Sequence, residues 1–242
     1  NEDYSSKQKG IDAEVDVKFA VDDAKSFKAY CNNVLGVPES NTQLLVNAGI
    51  VDMNREINLM IKRVEAEQGQ GELIFYYAGH SQPDETTKIP YMIPVDVTGV
   101  DIKQGINLND FYQRLSLTNA KLITVFLDAC FSGAGRNGSL VAGRSIRIKP
   151  KTGSVSGNVM VFSATDAEQM ALPYKDQFHG MFTYILLKTI KECNGNISYE
   201  KLYEKLKYEV NKTSLRINSK EQTPTLQTSP VCKDCALRMI NN

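Results

Sequence analysis

The sequence carries no excess charge: 28 Lys and Arg stand against 28 Asp and Glu in 242 residues. A chain with no surplus of positive charge has nothing general with which to attract phosphates. Nucleic-acid and membrane-surface binding are therefore not expected as its role. No run approaches the roughly 18 uninterrupted apolar residues of a membrane-spanning helix. The opening residues, NEDYSSKQKG, hold no signal-peptide core, and secretion stays open where a leader has been removed. Cysteine is sparse, with 5 residues: Cys31, Cys130, Cys193, Cys232 and Cys235. So small and odd a number is not a dense disulfide framework, and a mostly reduced, cytoplasmic protein is the expectation. Cys232 and Cys235 have CxxC spacing, but no second ligand pair lies nearby, so they read as two ordinary tail thiols rather than a zinc site. Histidine occurs only twice, at positions 80 and 179.

What is present suits one domain spanning residues 1–242. Apolar residues make up 42% of the chain, enough for a sizeable core. Apolar spacing predicts helices over residues 15–35, from Asp52 as N-cap to about 67, from 107 or 109 to 115, over 180–193, and from Ser198 to about 211. Short strands are predicted at 42–47 (TQLLVN), at GELIFYYAGH, at 89–97 as an edge strand, at KLITVFLDAC, at GNVMVFSAT and at TPTLQTS. Residues 131–157 read as a long connection rich in Gly, Ser, Arg and Lys. Strands that are continuous apolar runs, alternating with helices, predict a three-layer α/β/α sandwich around a mostly parallel sheet. Ligands of such sheets bind beyond the carboxyl ends of the strands.

Two of the most apolar strands end on reactive side chains. One runs into Ala78-Gly79-His80-Ser81, the other into Asp128-Ala129-Cys130. A thiol and an imidazole on neighbouring strand ends form a nucleophile and its general acid/base. Either alone reads as a buried thiol or a loop histidine. The pair, flanked by Gly79 and Gly133, points to catalysis.

YYAGHS followed fifty residues later by FLDACFSG resembles the caspase-like cysteine peptidases, closest to bacterial metacaspase-like (orthocaspase) members. VMVFSAT and HGMFTYILLK extend the likeness over about residues 11–230. The resemblance implies the caspase-hemoglobinase fold, with Cys130 as nucleophile, His80 as acid/base, and an acyl-enzyme intermediate. It implies an oxyanion hole from the backbone N–H groups of Cys130 and Ser81. Ser81 departs from the glycine common in relatives. Most relatives also begin with an apolar strand ahead of the stretch that reads NEDYS here, and that strand is missing from this sequence.

By the same resemblance Asp128, two residues before the thiol, marks a pocket for Arg or Lys before the scissile bond, as in metacaspases, paracaspases and clostripain-like enzymes. Asp166 is a second candidate for that pocket. The basic residues of the long connection, Arg136, Arg144, Arg147, Lys149 and Lys151, are the expected self-cleavage positions. His179 reads as an ordinary flank of the following helix. No cofactor is expected. Calcium serves many metacaspases, but Asp96, Asp101 and Asp176 are scattered and form no recognisable ligand loop. The expected partner is a peptide or protein substrate with a basic residue before the cut, and the expected state is a monomer. The alternatives are a catalytically silent scaffold and a peptide ligase on the same fold.

Overall fold

The computed structural model describes residues 1–10, 12–131, 153, 155–166, 168–232 and 234–241. The five basic positions of the long connection lie outside the described residues, so the expected self-cleavage segment receives no structural account.

Leu122–Asp128 is β5, and every one of its side chains is buried. It pairs in parallel with β1 (Glu72–Ala78) on one side and β6 (Val159–Ser163) on the other. β9 (Thr225–Thr228) adds antiparallel to β6, giving the order β1-β5-β6-β9. A strand central to a parallel sheet is covered on both faces, which is why LITVFL is apolar except for Thr124, itself buried. Residues alternate between those faces. Leu122, Phe126 and Cys130 enter one core with α1 (Ala20–Asn33), α4 (Met181–Glu192) and α5 (Tyr199–Asn218). Ile123, Val125, Leu127 and Ala129 enter the other, against α2 (Ile50–Ala66) and α3 (Leu108–Ser116). The three-layer sandwich is thus present, with parallel strands at its centre.

Three short strands, β2 (Ser81–Pro83), β3 (Pro90–Met92) and β4 (Ile106–Asn107), form a separate antiparallel sheet beside the rim. β7 (Pro173–Tyr174) and β8 (His179–Gly180) form a two-stranded ribbon leading into α4. A third cluster packs Tyr4, Val17 and Ala20 on Ala78, Tyr91, Ile93 and Val95, fixing the N-terminal segment over the end of β1.

Several expectations are corrected. Residues 42–47 are not a strand: they join no ladder among the described residues, and local β propensity does not make a strand without a partner. The first helix starts at Ala20, not near residue 15: residues 13–17 form no regular element, and Glu14 and Val15 instead reach Gly99 and His80. Asp52 is not the N-cap of α2. Gly49 holds that position, and the carboxylate at the helix start is Asp96, which accepts the Ile50 N–H at 2.8 Å. A Cβ on Gly49 would sit 2.5 Å from Asp96 Oδ2, so glycine is needed there. The 89–97 strand shrinks to Pro90–Met92 and belongs to the small sheet rather than an edge of the large one. The last helix runs on to Asn218. Cys232 and Cys235 are not two thiols: their Cα atoms are 5.1 Å apart, within disulfide range, and they are bonded to each other. Cys31, Cys130 and Cys193 are free thiols.

Candidate active site

Ala78 and Asp128 are the last paired positions of β1 and β5. His80 and Cys130 each lie two residues further on, so the parallel register brings them to one rim. The two strand ends are tied together directly: Ser81 Oγ donates to the Cys130 carbonyl at 2.6 Å, and Ser81 is buried. The hydroxyl that replaces glycine here therefore holds the main chain at the thiol.

His80 is 2% exposed and held from several sides. Its N–H donates to Tyr4 Oη at 3.0 Å, and its carbonyl accepts from Tyr77 Oη at 2.6 Å. Burial pushes both phenols well above the ordinary tyrosine range, so they stay protonated. The Tyr4 ring lies 4.6 Å from the imidazole, centroid to centroid. Gly79 is required between the tyrosine and the histidine, since a Cβ there would come within 2.6 Å of Tyr77 Oη. His80 Nε2 lies 2.5 Å from the Val15 carbonyl. A carbonyl only accepts, so the proton sits on Nε2, and Nδ1 is left as the nitrogen that takes up or gives the second proton. This orienting group was not read from the sequence. It is a backbone oxygen, and backbone oxygens have no residue signature.

Cys130 is 3% exposed. Its sulfur accepts the Ala171 N–H at 2.8 Å and faces the Ala171 carbonyl at 3.7 Å. The strap carrying Ala171 is pinned by Gln222: Oε1 accepts the Leu172 N–H at 2.8 Å, and Nε2 donates to the Ala164 carbonyl at 3.0 Å. Cys31 is a different kind of thiol. It lies in the core, where burial pushes it up to about 12, and it is inert filler.

Asp128 shares the face of Cys130 and points to the start of α4. Its Oδ2 accepts Thr183 Oγ1 at 2.7 Å and Thr183 N–H at 3.3 Å, and Thr183 Oγ1 is 2.6 Å from Tyr76 Oη. Asp23, fully buried on α1, meets the same helix end. It accepts the Gly180 N–H at 3.1 and 3.0 Å and contacts His179 Nδ1 at 2.7 Å. The helix-flank reading of His179 is thus incomplete: the ring pairs with a buried carboxylate. Asp23 was not singled out from the sequence, where a helix predicted over 15–35 left it in mid-helix; in the structure it lies in the first turn of α1. Asp166 is exposed in the turn after β6, where its Oδ1 accepts the Glu168 N–H. It is not brought to the Asp128 carboxylate by any described contact. Among the described residues no cluster of three or more His, Cys, Asp or Glu could hold a metal ion.

Known proteins share this architecture. The structure of protein GSU0716 from Geobacter sulfurreducens superposes with a TM-score of 0.63 at 17% identity, covering 90% of this chain and 88% of that one. Caspase-1 from Spodoptera frugiperda superposes with a TM-score of 0.57 at 12% identity, covering 85% and 76%. At such identities the likeness is one of fold. No curated protein matches the chain. The model of the caspase domain, however, matches residues 1–235, nearly the whole sequence. The chain belongs to the caspase-domain family of cysteine peptidases.

Proposed function

We propose that the protein is a cysteine endopeptidase that cuts after Arg or Lys, with Cys130 as nucleophile and His80 as acid/base. The observation that carries this reading is the juxtaposition of the two strand ends, with His80 held as the Nε2–H tautomer by Val15. The imidazole takes the Cys130 thiol proton at Nδ1, the thiolate attacks the scissile carbonyl, and the amine leaves with that proton as the thioester forms. Water then attacks the thioester, giving its proton to the imidazole, and the thiol is regenerated. The developing oxyanion is received by the backbone N–H groups of Cys130 and Ser81.

The preference for a basic residue rests on Asp128, about 7 Å from Cys130 along the strand. With Asp23 it places two carboxylates at one helix end. A guanidinium or ammonium group from the substrate is the chemical complement of a carboxylate at that position. Asp166 lies outside this pair and has the weaker support. With such a preference, Arg136, Arg144, Arg147, Lys149 and Lys151 become candidate self-cleavage positions.

A second reading has its own observation. The thiol is covered, with Ala171 against the sulfur, as a silent scaffold would tolerate. An arginyl chloromethyl ketone separates the two. A peptidase gives a stoichiometric adduct on Cys130, lost in Cys130→Ala. A folded protein that forms no adduct is the scaffold.

A further inference from the structure

Glu14 is 1% exposed, and the chemistry above does not use it. It stands one residue before the carbonyl that holds His80. Its Oε1 accepts the Gly99 N–H at 2.7 Å, and its own N–H donates to Gln8 Oε1 at 2.8 Å. Gln8 in turn donates from Nε2 to the carbonyls of Val95 at 3.0 Å and Val97 at 2.7 Å. Gly99 makes this approach possible, since a Cβ there would lie 2.9 Å from Glu14 Oε1 and 2.4 Å from Gln82 Oε1. Downstream of Val15 the segment is fixed separately: Asp16 Oδ1 accepts the N–H groups of Tyr4 and Ser5, and Val17 N–H donates to the Glu2 carbonyl. Upstream, the hold on Val15 passes through residue 14.

Such an arrangement needs an explanation. A buried acid costs free energy unless both oxygens are satisfied, and Glu14 Oε2 has no hydrogen-bond partner among the described residues. Glutamine would offer the same acceptor to Gly99 without the charge.

We propose that Glu14 is a positioning residue: by binding the Gly99 N–H it clamps residues 14 and 15 to the rim, keeps the Val15 carbonyl on His80 Nε2, and so sets which imidazole nitrogen serves Cys130. The catalytic part rests on the Cys130/His80 reading; the tautomer part does not. Burial, with a smaller contribution from Asp12, pushes the Glu14 carboxyl up to about 7, against the opposing pull of the Gly99 N–H. The other groups facing it are Gln8 on its own segment, Gln82 from β2 and the Tyr4 phenol. The clamp is therefore a neutral acid below pH 7, and its ionisation above that value places a charge against a single amide donor.

The test is the imidazole nitrogen spectrum, which contains only two histidines. His80 is assigned by a His179→Gln variant. The wild type shows His80 as the Nε2–H tautomer when neutral. Glu14→Ala mixes the two tautomers and lowers kcat by about tenfold or more with KM little changed. Glu14→Gln restores the tautomer and most of kcat. Glu14→Asp, which keeps the acid but falls short of Gly99, mixes the tautomers in part and decides the matter if Glu14→Ala does not fold. A pure Nε2–H His80 in folded Glu14→Ala, or in Glu14→Asp where that variant alone folds, overturns the proposal. A tautomer that responds as expected in a protein without peptidase activity leaves the clamp standing and removes the catalytic reading instead.

Discussion

Asp128→Ala is the perturbation from which most can be learned, because two roles meet on one carboxylate. The side chain is 1% exposed and accepts both the hydroxyl and the amide of Thr183, the third residue of α4. It therefore caps the helix from 55 residues away. Losing a hydrogen bond to a charged group costs about 1.5–3 kcal/mol. Loss of the carboxylate from the helix N-terminus adds about 0.3–1 kcal/mol. Relief of carboxylate desolvation offsets part of this. The expected destabilisation is about 2–3 kcal/mol, or a drop in Tm of roughly 4–12 °C at about 2–4 °C per kcal/mol for a chain of this length. Asp128→Asn keeps an acceptor for Thr183 and should lose about 1 kcal/mol. The assay pairs calorimetric melting with kcat/KM on peptides carrying Arg, Lys or Asp before the scissile bond. A cap alone lowers all three rates together. A selector lowers the Arg and Lys rates by a further factor of about 100 or more, as expected when a desolvated charge pair loses one partner. Wild-type melting in Asp128→Ala refutes the cap. An unchanged preference for Arg and Lys refutes the selector.

Other outcomes follow from the same structure. Glu14 has its carboxyl raised from 4.5 to about 7, so the folded state holds that proton more tightly than the unfolded chain. Its contribution to stability is full below about pH 4.5 and is lost as pH rises through about 7; relative to wild type, Glu14→Gln should gain about 2–3 kcal/mol between pH 5 and 8.5 in urea titrations. Wild-type and variant curves that stay parallel contradict the assignment. Gln222→Ala frees the strap over the thiol, so iodoacetamide should label Cys130 at least severalfold faster at unchanged pH, and equal labelling shows that the strap does not shield the sulfur. Reducing the Cys232–Cys235 disulfide opens a loop of sequence separation 3, for which chain entropy predicts a loss of only about 2 kcal/mol, seen as a Tm lower by roughly 4–8 °C. A much larger drop would assign the bridge an enthalpic role in holding the C-terminal segment.

The elements read well where the signal was local. The apolar run at 122–127, broken only by Thr124, marked a strand covered on both sides, and the apolar spacing after Asp52 marked a helix to about residue 67. The reading failed where a partner decides the outcome. LLV at 44–46 has the side chains of a strand, yet a strand exists only in a ladder. CxxC spacing suits thiols, zinc or a bridge alike, and a Cα separation of 5.1 Å selects the bridge.

The candidate site divides in the same way. His80, Cys130 and Asp128 were legible because each follows an apolar run that must end at the rim, and strand alternation puts Cys130 and Asp128 on one face. Val15, Glu14, Asp23 and Ala171 were not. Their roles are contacts to His80, Gly99, Gly180 and Cys130 across separations of 65, 85, 157 and 41 residues. The sequence by itself determined the layers and the reactive side chains, since both follow from short-range patterns of burial and residue chemistry. Only the tertiary structure decided how the imidazole is held, what covers the thiol and which acids share a helix end. Those are set by backbone groups and chain crossings, and neither leaves a mark on the order of residues.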